Sequence, residues 1–341
     1  MTRAANLAEA AGSGFAFRNR IINGAMQFWQ RGTGPTLVNA GSVFVADRWG
    51  TNQYQQGRHQ RAAVTSPPTG LNAKYALQVG SSTTTEGSTG TRMVASQTVE
   101  SVNCQDLAGQ KVTVSCWVKF SSATFNSVTN TGNSAFGNFG LSIWFITSTT
   151  DAPSGSTGAD SVAATYLYNG SLPTTWTQMT FTATVPAGTN NLSVRCGFDY
   201  LGSTATADQN FYHITQVQLE AGSTATPFEF RQYGTELALC QRYFATVSSG
   251  NRQMYRNHGY DLCTIRDIKV FALPVLMRAT PTVVASGSTV DGDNGVAISG
   301  ASVAAYAANE KSVLGYLAYT SQPAGGVIHN ALITATASAE I

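Results

Sequence analysis

The residues available for acid–base, nucleophilic or metal chemistry are few and scattered. Four histidines, His59, His213, His258 and His329, lie far apart, and no His/Cys cluster has metal-ligand spacing. A nucleophile elbow of the G-x-S-x-G type, a phosphate-cradling P-loop and the H-E-x-x-H pattern of zinc hydrolases are all missing. Asp291 to Gly295 (DGDNG) opens like a calcium loop, but its twelfth position falls at Ser302, where a bidentate glutamate is required. It reads as a turn that uses Asn and Gly for left-handed dihedrals, and no metal or cofactor is expected. A glycosidase needs only two carboxylates brought together by the fold, and 18 acidic residues scattered mostly singly leave that constellation open.

The aromatic residues say more. The chain holds five Trp and 13 Tyr in a surface whose polarity comes from hydroxyls and amides: Ser and Thr make up about a fifth of the residues and charged residues only 11%. Flat rings stack on the apolar faces of sugars while Asn, Thr and Asp bond the hydroxyls, so such a surface suits carbohydrate. The candidates for stacking are Trp176, just after SLPTT, with Tyr166, Tyr168 and Tyr200 near the long loops. Trp144 sits in the apolar run LSIWFI and reads as core, whereas Trp117 alternates away from the apolar face of its strand.

The elements that must carry these rings are strands. Short alternating or β-branched runs recur between Gly, Asn, Ser and Pro, and helical periodicity is almost absent. The clearest strands are 75–79, 92–100, 111–120, 141–146, 177–185, 191–197 and 211–219, which suit a two-sheet sandwich. In VTVSCWVKF, Val112, Val114, Cys116 and Val118 share one face, and Thr113, Ser115, Trp117 and Lys119 the other. Segments 80–91, 121–140 and 147–164 read as long polar loops. One segment, Glu236 to Phe244, has a helical face, and beyond it a second β-rich block is expected, with strands near 269–273, 282–286, 303–306, 312–318 and 331–339. The domain boundary falls around residue 230.

Composition removes whole classes of partner. With 20 basic and 18 acidic residues the net charge is +2, which gives no footprint for nucleic acid and no polybasic arm for anionic lipid. No stretch approaches the roughly 20 apolar residues of a membrane span. The first 17 residues lack the apolar centre of a secretory signal and read as a short attachment arm. Five cysteines, odd in number and mostly flanked by apolar residues, read as buried free thiols in a chain folded in a reducing cytosol.

Six segments together are familiar: NRIINGAMQFWQRGT (Asn19 to Thr33), ADRW (Ala46 to Trp49), VQLEAGSTATPFEFR (Val217 to Arg231), ELALCQRYF (Glu236 to Phe244), LPVLMRATPTV (Leu273 to Val283) and TATASAEI (Thr334 to Ile341). In this order they resemble phage receptor-binding fibre and appendage proteins, a family also found in gene transfer agents and on capsid head fibres. The resemblance implies an all-β protein: a virion-attachment arm at 1–18, a jelly roll like the carbohydrate-binding modules of bacterial glycosidases at 19–230, and a β-rich C-terminal head and trimerisation domain at 231–341. It implies a particle appendage made in the bacterial cytoplasm. Its partners would be host cell-surface polysaccharide, a virion protein holding the arm, and two further copies of the chain. Tail and head attachment both stay open.

The family motifs have a structural reading of their own. In a jelly roll the first and last strands can end side by side, which would bring Asn23 and Gly24 close to Gln218 and Glu220. Arg48 and Glu220 are then expected to form a buried charge-assisted pair with Trp49 packed over it, and Asp47 equally suits a turn cap. Arg242 and Arg278 are expected to pin the domain junction or the trimer axis. Small and apolar residues in AISGASVAAYAA and ALITATASA would leave faces that copies around an axis cover. Three functions stand at this point: polysaccharide attachment without catalysis, a purely structural fibre or adaptor, and a polysaccharide depolymerase.

Overall fold

A computed structural model of the chain describes residues 17–38, 41–53, 57–81, 91–123, 138–148, 161–168, 171–201, 211–248, 252–254, 265–288, 291–292, 302–319 and 328–340. It divides into two units, the first ending at Gln232 and the second running from Tyr233 to Glu340.

The first unit is a jelly-roll sandwich. Its strands are β1 (Thr36–Val38), β2 (Gly41–Phe44), β3 (Gly50–Gln53), β4 (Gly57–Ala63), β5 (Tyr75–Ser81), β6 (Thr91–Val99), β7 (Lys111–Phe120), β8 (Phe139–Ile146), β9 (Ser161–Leu167), β10 (Thr177–Thr184), β11 (Asn191–Leu201) and β12 (Phe211–Ala221). They form two antiparallel sheets, ordered β1-β4-β5-β12-β7-β10 and β2-β3-β6-β11-β8-β9. The strands with strict apolar alternation lie where the sequence places them. Strands β1 to β3 are too short to show a period, and β4, GRHQRAA, has no apolar period to detect. The expected loop over 147–164 runs into a strand, because β9 begins at Ser161 and pairs with β8. Most of the other two expected loops lies outside the described residues.

Alternation places Val112, Val114, Cys116 and Val118 of β7 against Leu192, Val194, Cys196 and Phe198 of β11 in one buried cluster. At one end Phe120, Phe139, Phe198 and Tyr212 pack edge to face, with the Phe120 and Phe139 centroids 5.0 Å apart. The Tyr212 hydroxyl lies between the sheets, 2.9 Å from Met93 O and 3.0 Å from Cys196 O. Cys104, Cys116, Cys196 and Cys240 are buried free thiols, while Cys263 lies outside the described residues. Hydrogen bonding to Cys116, together with burial, holds the Cys196 thiol well above its usual range.

The second unit opens with helix α1 (Tyr233–Gln241), followed by β13 (Phe244–Ser248), β14 (Arg252–Met254), β15 (Ile265–Ala272), β16 (Thr282–Ser288), β17 (Asp291–Gly292), β18 (Ser302–Ala308), β19 (Ser312–Tyr319) and β20 (Ile328–Ser338). The long β20 pairs with β13 and β16 along one half and with β14 and β17 along the other, and β15-β19-β18 form a second sheet. The helix starts three residues earlier than the sequence suggested and stops before Phe244, whose β-branched successors begin β13. Asp291 and Gly292 of the DGDNG segment pair with His329 and Ile328, and Asp293 lies outside the described residues. Arg278 ties this unit together: its N–H donates to Arg242 O at 3.0 Å and its Nη1 to Ala339 O at 3.4 Å.

Candidate functional site

The first and last segments of the sandwich are stitched together. Past its pairing with β5, strand β12 shifts register between Thr215 and Gln218, with Gln216 at φ 49°. Its free edge there is taken up by residues 19–24: Arg20 N donates to Leu219 O at 2.8 Å and Val217 N to Gly24 O at 3.0 Å. Asn19 spans the same gap, its Oδ1 accepting from Leu219 N (3.1 Å) and Ile21 N (2.9 Å) while its Nδ2 donates to Val217 O (3.2 Å). A Cβ on Gly24 would lie 2.1 Å from Val217 O, so only glycine permits this approach. Arg231 then donates to Ile21 O at 3.0 Å and to Asn19 O. Gly24 thus lies against Val217, as the jelly-roll argument expected of the first and last segments, while Asn23 donates to Phe28 O and Asp47 O.

The expected Arg48 to Glu220 pair does not form. Glu220 ion-pairs instead with Arg18, at 3.3 Å, and accepts from Gln218 Nε2 (2.8 Å), Thr226 N (2.9 Å) and Thr226 Oγ1 (2.6 Å). Arg48, also buried, donates from Nη2 to Thr98 O at 2.8 Å. Glu220 points to the outer side of its sheet, whereas Arg48 reaches the backbone of β6 in the opposite sheet, so the sandwich separates them. Trp49 is fully buried and donates from Nε1 to Asn23 O at 3.1 Å. Asp47 does cap a turn: its carboxylate accepts from Gln30 N (3.0 Å) and Gln30 Nε2 (2.7 Å). The three familiar segments of the first unit are therefore largely the clasp of the sandwich.

The outer face of the β1-β4-β5-β12-β7-β10 sheet falls into three zones. Over Gln218 and Glu220 the 222–229 strap folds back, with Thr113 Oγ1 donating to Gly222 O at 2.9 Å and Glu229 N to Gln218 Oε1 at 2.8 Å. In the middle, Leu71, Ala73, Ala76 and Trp176 form a small cluster against Val64 and Trp117. The third zone is uncovered by either. There Gln60, Gln78, His213 and Lys119 stand in register on four adjacent strands, followed by Arg58, Gly80 and Phe211 in the next row. All four side chains of the first row are half-buried. At a strand spacing of about 4.8 Å the row runs for about 15 Å.

Within that row the His213 ring is held from three sides. Its Nε2 donates to Gln78 Oε1 at 3.2 Å, the Phe211 ring meets it edge-on at 5.1 Å, and the Trp176 ring lies 6.0 Å away. Burial, aided by the Lys119 charge, lowers its pKa to about 4, so His213 is a neutral hydrogen-bonding group at pH 7. Among the described residues this zone carries no Asp or Glu. Nor does any group of three His, Cys, Asp or Glu among the described residues form a metal site.

The sequence candidates do not meet in one place. Trp176 is 9% exposed and donates from Nε1 to Thr65 O at 3.3 Å, so most of its ring is spent on packing, with one side toward His213. Tyr166 lies on the outer face of the opposite sheet, its ring over Gly140, where an added Cβ would be 3.2 Å from Cε1. Beside it the Arg195 guanidinium stacks on Trp144 at 3.4 Å from the ring centre, and Arg195 is 4% exposed. Tyr168, just past β9, is 63% exposed. Tyr200 falls within β11, but its side chain lies outside the described residues. The sandwich core stands between Trp176 and Tyr166, which excludes a site shared by the two. Sequence reading missed Gln60, Gln78 and His213. Gln60 had no local signal in the polar run GRHQRAA, whereas Gln78 and His213 each stand between two buried apolar neighbours, Leu77 and Val79, and Tyr212 and Ile214.

No protein-family model matches the chain, and no curated protein does. Among solved structures it is similar to the enzymatically active domain of tailspike protein 4 of bacteriophage CBA120 (13% identity, TM-score 0.35, 60% of this chain and 22% of that one). It is also similar to the CBM22-1 xylan-binding domain of Paenibacillus barcinonensis Xyn10C (13%, 0.29, 57% and 99%) and to TmCBM61 in complex with β-1,4-galactotriose (10%, 0.29, 60% and 100%). The chain thus spans under a quarter of the tailspike chain it matches. These neighbours include both binding modules and a domain described as enzymatically active.

Proposed function

We propose that the chain is a virion fibre or appendage protein that attaches particles to host cell-surface polysaccharide by non-catalytic binding. The observation that carries this reading is the row of Gln60, Gln78, His213 and Lys119, left clear by the described strap and cluster and bordered by Phe211 and Trp176. Amides and a neutral imidazole beside aromatic edges are the groups that bind sugar hydroxyls and ring faces. The described residues of that face offer amides and an imidazole and no carboxylate pair, which supports reading it as a binding face. The virion role rests on the resemblance of the six motifs, and of the arm that would dock on the particle only Phe17 and Arg18 fall among the described residues.

Each row is a weak site, and the reading includes a homotrimer whose copies engage one surface together. Exposed apolar side chains in the second unit, Val284 at 65% and Leu276 at 59%, are surface that neighbouring copies would cover. The test is adsorption of particles lacking the protein to encapsulated and capsule-free cells, with purified protein as competitor. Loss confined to encapsulated cells, with competition, is the expected result; unchanged adsorption overturns the attachment role.

A further inference from the structure

The open zone has a charge character that its amides do not require. Lys119 ends the row on β7, and Arg58 stands in the next row on β4, both on the outer face by register with Gln78 and Gly80. Neither cation has a carboxylate within ion-pair distance among the described residues; the pairs there engage Arg18, Arg20 and Arg31. Glu220, on the same face, is enclosed by the clasp with both oxygens engaged. His213 is neutral and so neither adds to nor cancels this charge. A half-buried lysine beside an aromatic and amide row, facing no anion among the described residues, is suited to an anion brought by a ligand.

We infer that the outer face around Gln60, Gln78, His213 and Lys119 binds a carboxylate-bearing polysaccharide, its acid groups held by Lys119 and Arg58. This rests on the reading of the chain as a sugar-binding protein and narrows it to acidic chains. Gln60 and Gln78 serve the hydroxyls, and Phe211 with the free side of Trp176 borders the sugar rings. A chain laid along the row crosses four strands, so its charged units meet Lys119 at one end and Arg58 at the other side.

The test is affinity electrophoresis of the full-length chain through gels containing alginate, polygalacturonate or polysialic acid. Each polymer is run in native form and after chemical reduction of its carboxylates to alcohols. At least one native polymer should retard the protein, and its reduced form should bind about tenfold more weakly. Retardation should fade as sodium chloride is raised. Lys119→Gln and Arg58→Gln should each lose about tenfold on the native polymer and nothing on the reduced one. Lys111→Gln removes the same charge from the far end of β7 and should change neither, and thermal melts of all three variants should match the parent. Equal retardation by native and reduced polymers overturns the acidic preference while leaving sugar binding intact. Unaltered retardation of both Lys119→Gln and Arg58→Gln overturns the location. No retardation by any polymer, native or reduced, overturns both the inference and the reading beneath it.

Discussion

Asn19 and Leu219 are 200 residues apart and share a hydrogen bond of 3.1 Å, from the Leu219 amide to Asn19 Oδ1. Through it a single buried carboxamide closes the edge that β12 leaves open where it shifts register. Asn19→Ala strands the amides of Ile21 and Leu219 and the carbonyl of Val217 in a site that is 2% exposed at Asn19. Its cost is expected to be about 2–4 kcal/mol by urea denaturation, against nearly nothing for an exposed change such as Lys111→Gln.

Glu220 and Arg48 belong to separate networks, and this is measurable. Glu220→Ala removes the acceptor of Thr226 N, Thr226 Oγ1 and Gln218 Nε2, while Arg48→Ala removes a donor to Thr98 O. Both single changes destabilise the unit. In a double-mutant cycle their effects should add to within about 0.5 kcal/mol, and a larger coupling would show that the two side chains interact after all.

His59 makes stability depend on pH. It is fully buried on β4 with neither ring nitrogen hydrogen-bonded, and burial lowers its pKa to about 4 from 6.5. Above pH 6.5 the ring is neutral in both states and contributes no slope. As pH falls from 6.5 toward 4 the unfolded chain takes up the proton first, so stability is lost progressively, by about 3 kcal/mol at the lower end. His213 acts in the same direction. His59→Leu should flatten the curve of stability against pH over this window.

Trp176 and Tyr168 separate packing from presentation. Trp176→Ala opens the cluster with Leu71, Ala73 and Ala76 and should cost about 3 kcal/mol. Tyr168→Ala, at a side chain 63% exposed, should stay within about 0.5 kcal/mol. Differential scanning calorimetry of the two variants distinguishes these outcomes.

The strands of the sandwich were legible wherever one face is apolar, because the period of two in β7 and β10 and the apolar run of β8 are local properties of the chain. Strands β1 to β4 were not, since they are held by neighbours and carry no period of their own. The candidate face was legible only in fragments. Trp117 was read correctly as pointing away from the apolar side, yet what lies beside it depends on β12 standing between β5 and β7, a pairing no local pattern contains. The same ignorance of strand order grouped Trp176 with Tyr166, which turn out to lie on opposite sheets. Glu220 was rightly read as a buried structural acid but given the wrong partner, because Arg18 sat outside the motif that suggested the pair.

The clasp also decides where a pull is felt. The chain enters the sandwich at Arg18 and leaves it at Arg231, and these ends are bonded directly: Asn19 N donates to Glu229 Oε2 at 2.8 Å and Arg231 to Asn19 O. Tension applied along the chain from before the sandwich to after it therefore runs across a few side-chain and edge hydrogen bonds. The two hundred residues between them are bypassed, so a pull on the two ends loads the latch while the twelve strands and the face they present stay slack.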